Sequence, residues 1–464
     1  MCVFFRCQQL KPVSAEYVRE VRYLVALFEF EDLNHTKSFE EMRSIAIDQV
    51  QAYYDQVSYG KVKAIGHILP GWRKLPLGVK YLDVFRWTYT RGAMEMIDNA
   101  ALSQLGPMLE AREYGIKFIV YAGRVWGHAR PATAFMNEFH SAVTYAHELG
   151  HVLGLPDLYS YKLAEQNKYS GVNVGPWDLM GSGPGGLCSW SMVKLDWIDK
   201  QQIVDVKEGS EGVFLIDAIA NKSAKVLVVR IYRLVPSEGY YVEVRERLGA
   251  DANMDRRIRM GVLILQVDGM LDPREGGVVV IDSHPKSYNP NTPSAEFYDA
   301  PFSIGRNETV AFINRVKNLS IMVLSKVGYS YKVKVGDAVS GEKAIEANDA
   351  IVKAEDAIEK ARKESRLKGL DDAESQLDKA KAAYGEAMFK DAVEFAKLTT
   401  ELANIATVMP TTVTTVTGTT SITGTESTIA PTVPLNIVIP AIAVGGILVA
   451  VGVLITLRKG KKTT

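Results

Sequence analysis

Hydrophobic and polar positions follow three textures along the chain. In the first, strands and helices alternate. "YLVALFEF" (Tyr23–Phe30) is an unbroken apolar run of strand length and predicts a buried strand. Across Phe39–Tyr54, Met42, Ile45, Ile47, Val50 and Tyr53 recur at helical spacing and predict an amphipathic helix. "KVKAIGHIL" predicts a second strand, Met94–Ala111 a helix broken near Gly106–Pro107, and "IKFIVYAG" (Ile116–Gly123) a strand beside the cleft. From Ile203 the period shortens. "GVFLIDAI", "KVLVVRIYRL", "GYYVEVRERL", "MGVLILQVDG", "GGVVVIDS", "TVAFINRV", "LSIMVLSKV" and "YSYKVKVGD" are short β-rich runs between turn residues, which predicts a sandwich or barrel-like module. The third texture, Glu342–Ala406, is rich in Ala, Glu, Lys and Leu. Its apolar positions Ile345, Val352, Ile358, Leu370, Leu377, Tyr384 and Leu402 fit two or three helices folded on one another or a partly coiled stalk.

Beyond the helical texture the chain turns Thr-rich. "TTVTTVTGTTSITGTESTIAPTVP" (Thr411–Pro434) has too little apolar content for a core and resembles a glycosylated stalk. Leu435–Leu457 is uncharged and long enough to span a bilayer, and the basic tail "RKGKK" follows at once. Positive residues belong on the cytoplasmic side, so this pattern predicts a single span with everything before Leu435 outside. A Thr-rich segment before a span also resembles archaeal cell-surface proteins. "MCVFFRCQQLKP" is not a secretory leader, which sets an expectation that the chain starts inside a longer gene product.

Composition narrows the function. Lys plus Arg equals Asp plus Glu, 54 each, so the chain lacks the basic excess of a nucleic-acid-binding protein. Cys2, Cys7 and Cys188 cannot make a disulfide framework, and Cys188 reads as a small buried hydrophobe. Asp251, Asp255, Asp268 and Asp282 could include calcium ligands, although solvated loop acids are the better account.

The chemistry concentrates in "AHELGHVLGLPDLY" (Ala146–Tyr159). His147 and His151 lie one helical turn apart, so both imidazoles can reach one ion. Glu148 can reach a water on that ion without binding it. This is the mechanical content of H-E-x-x-H. Gly154 can end the helix with positive φ, and Pro156 blocks its continuation, which lets Asp157 return toward the metal. Downstream, "VGPWDLMGSG" (Val174–Gly183) is a glycine-rich turn whose Met180 is a candidate Met-turn under the metal. An isolated Met180 would read as a core methionine. Tyr159 could stabilise an oxyanion, but packing of the turn is the simpler role.

"HELGHVLGLPDLY", "VGPWDLMGSG" and "SWSMVKLDWI" resemble the immune-inhibitor-A-like zinc metalloproteases, a metzincin-related family. "YYDQVSYGKVKAIG" and "EGYYVEVRERLGADANMDRRIRMGVLILQVD" extend the likeness on either side, roughly over residues 20–335. The resemblance implies zinc on His147, His151 and Asp157, Glu148 as the base and Met180 as the Met-turn. Asp157 stands where many metzincins have a third His, so Asp178, Glu165, His128 and His140 stay open as alternative ligands.

The expected architecture is an N-terminal segment (1–20), an α+β zincin-like catalytic domain (21–202) and a β-rich sandwich-like domain (203–338). A helical stalk (342–408), a Thr-rich linker (409–434), one C-terminal transmembrane helix (435–457) and a basic cytoplasmic tail (458–464) follow. The expected function is that of a membrane-anchored zinc endopeptidase acting on extracellular proteins or peptides. Two other classes remain: an inactive surface adhesion protein that keeps the fold, against which the intact Glu148 argues, and a non-proteolytic zinc amidase, against which Met180 and the family likeness argue.

Overall fold

A computed structural model describes residues 18–79, 91–106, 113–125, 128–166, 168, 171–287 and 292–409. In chain order these form β1 (Arg19–Glu29), α1 (Phe39–Arg43), a π-helical turn (Ser44–Asp48), α2 (Gln49–Val57), β2 (Val62–Lys74), α3 (Arg91–Leu105), β3 (Ile116–Tyr121), β4 (His128–Arg130), β5 (Thr133–Asn137), α4 (Ala142–Leu153), α5 (Tyr161–Glu165) and α6 (Ser189–Lys194). The first sheet has the order β2-β1-β3-β5-β4, parallel except for the antiparallel edge strand β4.

The unbroken apolar run of β1 reflects a strand covered on both faces. Tyr23, Val25 and Leu27 point into a core shared with α2 and α4, while Leu24, Ala26 and Phe28 point into a second core under α3. β3 divides in the same way, Phe118 and Val120 against Ile119 and Tyr121.

The β-rich region contains β6 (Ile203–Lys207), β7 (Gly212–Asp217), β8 (Val228–Tyr232), β9 (Glu238–Arg245), β10 (Gly261–Asp268), β11 (Val278–Val280), β12 (Ala311–Asn314), β13 (Leu319–Val327) and β14 (Ser330–Gly336). They make two sheets, β11-β10-β9-β8-β6 and β12-β13-β14-β7, which close over an apolar core that includes Val229, Val242, Ile264, Ile321 and Val333. The other face of the first of these sheets belongs elsewhere. Leu227, Tyr241, Leu263 and Leu265 join the core of α2 and α4, so the expected boundary near residue 202 is crossed by continuous packing.

The helical texture forms α7 (Ala338–Lys363), α8 (Leu370–Gly385) and α9 (Phe389–Ile405). Of the two readings left open by the sequence, three helices folded on one another is what forms, and the stalk expected over 342–408 is corrected. Ala344, Ala347, Ala354 and Ala361 form a seam of small residues on α7, interspersed with Ile351 and Ile358 and matched by Ala373, Ala380 and Ala383 on α8 and Ala392, Ala396 and Ala403 on α9. Small seam residues let the helices approach closely. The same core takes in Val310, Ala311, Met322 and Leu324, so the helices dock on β12 and β13. The Tyr384 hydroxyl donates to the Val323 carbonyl at 3.1 Å. Arg366 caps the end of α9 by donating to the carbonyls of Ala403 and Ala406 at 2.5 and 3.2 Å.

The expected membrane architecture is corrected as well. Among the described residues no helix is long and apolar enough to cross a membrane, and a single-pass membrane protein with an exterior catalytic domain is not supported. Thr411–Pro434, Leu435–Leu457 and the basic tail lie outside the described residues, as do Cys2 and Cys7. The fold of the described residues is α+β, with three sheets and a docked helical layer.

Gly341 distinguishes docking from a free stalk. A Cβ there would lie 2.7 Å from the Ser320 Cβ and 2.8 Å from the Ile313 Cγ1. In a free helix Gly341→Ala would stabilise, by up to about 1 kcal/mol. Against the sheet it should destabilise the fold by about 1–3 kcal/mol through overpacking, as read by urea denaturation.

Candidate metal centre

Helix α4 carries His147, Glu148 and His151, and its end delivers Asp157. Gly154 sits at φ 106° and caps the helix, with the Leu155 N–H donating back to the Gly150 carbonyl at 3.0 Å. The chain reverses there. The Leu158 N–H then donates to the Met180 carbonyl at 2.8 Å, which sets Asp157 beside the histidines.

The three side chains converge, and the group could hold a metal ion. Their ligand atoms all lie within 4.8 Å of one another, and among the described residues no other His, Cys, Asp and Glu group of three or more does this. The Asp157 Oδ1 is 3.0 Å from the His147 Nε2 and 3.4 Å from the His151 Nε2. Each Nδ1 faces a backbone carbonyl, Leu179 at 3.0 Å for His147 and Leu155 at 2.9 Å for His151. A carbonyl only accepts, so each Nδ1 is the protonated nitrogen and each Nε2 presents a lone pair. Two imidazole lone pairs and a carboxylate oxygen then face one another. Only a cation or shared protons can occupy such a point, so the donor set fits a metal ion.

The charges express the same arrangement in its metal-free form. Burial works to lower the His147 pKa, but the bonds to Asp157 and the Leu179 carbonyl prevail and raise it. His151 behaves likewise, with burial opposed by Asp157 and the Leu155 carbonyl. Burial pushes Asp157 up, yet hydrogen bonds from His147, His151 and Tyr161 hold it well below the usual carboxylate range.

Glu148 is half-buried and lines the same cleft as the three candidate ligands. Met180 is buried directly beneath α4. A Cβ on Gly150 would lie 2.6 Å from its sulfur, so any larger residue there would have to displace the Met180 side chain. Tyr159 stacks on His147 with ring centroids 6.2 Å apart, and burial followed by the Asp157 charge raises its pKa. Tyr161 was not singled out by sequence. Its hydroxyl donates to the second oxygen of Asp157, and its ring lies 5.0 Å from the Arg274 guanidinium. Its one signal is an aromatic hydroxyl four residues after a candidate ligand.

Three of the alternative ligands have other partners, although His128 and His140 line the same cleft as the three converging side chains. Asp178 is buried and accepts from the N–H groups of Met180 and Cys188 and from the Ser191 hydroxyl, at 2.7, 2.8 and 2.8 Å. It braces the Met180 turn. His128 lies 2.9 Å from buried Asp98 through Nε2. The His140 Nδ1 accepts from the Asn137 N–H at 3.1 Å, and burial lowers its pKa. Glu165 ends α5, and its side chain lies outside the described residues. Cys188 is buried, and burial drives its thiol pKa well up.

The calcium candidates do not converge. Asp251 pairs with buried Arg245, Asp255 pairs with Arg257, Asp268 accepts from the Met270 N–H, and Asp282 accepts from the His284 N–H.

No protein-family model and no curated protein sequence matches this chain. The chain is similar to two crystal structures of wild-type OgpA from Akkermansia muciniphila, at 12% identity each and TM-scores of 0.25 and 0.24. The likeness covers 51% and 59% of this chain and 74% and 94% of the other. At those scores it carries no argument about fold or function, and no family is shown by it.

His147→Ala or His151→Ala should abolish tight binding of a divalent metal, measured by elemental analysis after dialysis. Full retention in Asp157→Ala would place the third ligand elsewhere. Gly150→Ala touches no ligand but displaces Met180, and it should cost about tenfold in metal affinity, the scale of supporting residues around a metal. Both imidazoles must be unprotonated at Nε2 to bind, and both pKa values are raised in the metal-free protein. Metal affinity should therefore fall as the pH drops from about 8 to 5, beginning at a higher pH than for a free imidazole pair.

Proposed function

We propose that the protein is a zinc-dependent endopeptidase of the immune-inhibitor-A-like, metzincin-related kind, acting on protein or peptide substrates. The observation that carries the reading is the convergence of His147, His151 and Asp157 at one point, with Glu148 in the same cleft. Two imidazoles and one carboxylate form a donor set that would suit zinc.

Zinc bound there supplies a Lewis acid that lowers the pKa of water and polarises the scissile carbonyl. The remaining roles belong to the chain. The Leu179 and Leu155 carbonyls hold the two histidines in the tautomer that presents Nε2. Tyr161 fixes Asp157 by its second oxygen. Glu148, next to His147 on α4, takes the proton of the attacking water and returns it to the leaving amine. Tyr159 packs on His147 and shapes the cleft, which is the simpler of the two roles considered for it.

An inactive adhesion protein would have no use for Glu148, and replacing that residue tests the reading. Glu148→Gln keeps the shape and should keep the metal. Hydrolysis of a peptide library should fall by about a hundredfold or more, the usual effect of losing a general base. A wild-type protein that holds zinc and cleaves no peptide bond would favour the inactive class, and release of new amino groups from non-peptide amides of surface polymers without peptide cleavage would favour the amidase.

A further inference from the structure

One wall of the metal cleft carries a cation for which the chemistry above has no use. Arg124 lines the cleft with His147, Glu148 and His151. It follows β3 in a turn whose backbone is tied down on both sides. The Gly123 N–H donates to Glu138 at 2.6 Å, and the Val125 carbonyl accepts from the Asn137 side-chain amide at 2.8 Å. Glu138 is itself fully buried, and its other oxygen accepts from the N–H groups of Thr36 and Lys37 at 2.7 Å each.

The guanidinium is held as well. It lies over the Phe139 ring, 4.6 Å from the centroid, and the Phe139 N–H is fixed by the Asn137 side-chain oxygen at 3.0 Å. Neighbouring basic side chains are already engaged. Arg130 donates to buried Asp98 at 2.7 Å, and His128 lies against the same carboxylate. The exposed Arg124 has no carboxylate within ion-pair distance among the described residues. A guanidinium pre-set by ring stacking and a pinned backbone loses little freedom on binding, and its planar fork matches a carboxylate.

We propose that Arg124 is a specificity-determining residue that anchors a carboxylate of the substrate, carried by an Asp or Glu side chain or by a chain terminus. The inference rests on the reading of this cleft as a peptidase site. Arg124 binds and orients the substrate and takes no part in proton transfer.

The test uses the full chain loaded with zinc and peptide pairs that differ only by Glu against Gln at each position in turn. Each peptide is made with a free C-terminus and with a C-terminal amide. Cleavage is followed with the wild type, and fluorescence-anisotropy binding of the same labelled peptides with Glu148→Gln. The expected result is a preference of about tenfold for the acidic member at one position, the scale of a charge-assisted bidentate contact. Arg124→Gln, made in the wild type and in Glu148→Gln, should remove it, Arg124→Glu should invert it, and added salt should weaken it. A preference that follows the free terminus instead assigns the carboxylate to the chain end. Equal handling of all peptides, or an acidic preference that survives Arg124→Glu, overturns the proposal. If the wild type cleaves nothing, the peptidase reading fails alone, and the binding measurements still decide the role of Arg124.

Discussion

The placement of the candidate metal site depends on a buried guanidinium. Arg245, fully buried at the end of β9, donates to both oxygens of Asp251 at 2.6 and 2.7 Å and to Glu243 at 3.1 Å. A charge in that position is tolerable only when its partners satisfy it. Those partners also hold the segment behind the site. Arg245 donates to the Trp177 carbonyl at 2.8 Å, Asp251 accepts from the Gly186 N–H at 2.8 Å, and Glu243 accepts from the Ser189 N–H at 2.5 Å. The turn that carries Leu179 and Met180 is thereby fastened to the β-rich region, with Asp178 bracing it from within. The β11-β10-β9-β8-β6 sheet and α4 share one core, with the turn between them held from both sides.

From that turn the constraint passes to chemistry. The Leu179 carbonyl decides which His147 nitrogen is protonated, the Met180 carbonyl holds the segment that brings in Asp157, and the Met180 sulfur packs against the helix at Gly150. The result is three electron-pair donors facing one point. Without a metal, protons fill that role, which is why both histidines are raised and Asp157 is depressed together.

Local signals in the sequence were legible where spacing alone determines geometry. The His147–His151 interval, the helix-ending Gly154 and the apolar runs of β1 and β3 needed no distant partner to be read. Met180 could be assigned only with the upstream motif in hand, and its support of α4 through Gly150 became visible only in three dimensions. Arg245, Glu243 and Asp251 carry no local signature, because their pairing joins β9 to a loop and to a turn far back in the chain. Tyr161 was hidden for a smaller reason: an aromatic at the start of a short helix has no local signature until its hydroxyl is seen on Asp157. For α7, α8 and α9 the sequence left two readings open, helices folded on one another or a stalk. Alanine at every third or fourth position suits both a solvent-exposed stalk and a closely packed layer, and the covering strands β12 and β13 decide between them.

The central claim is that His147, His151 and Asp157 together bind one catalytic metal. X-ray absorption at the zinc edge of the loaded full chain tests it most directly. The account predicts two imidazole nitrogens at about 2.0–2.1 Å and carboxylate and water oxygens at about 2.0–2.2 Å. A sulfur shell near about 2.3 Å, or a site with oxygen ligands and no imidazole, would contradict it.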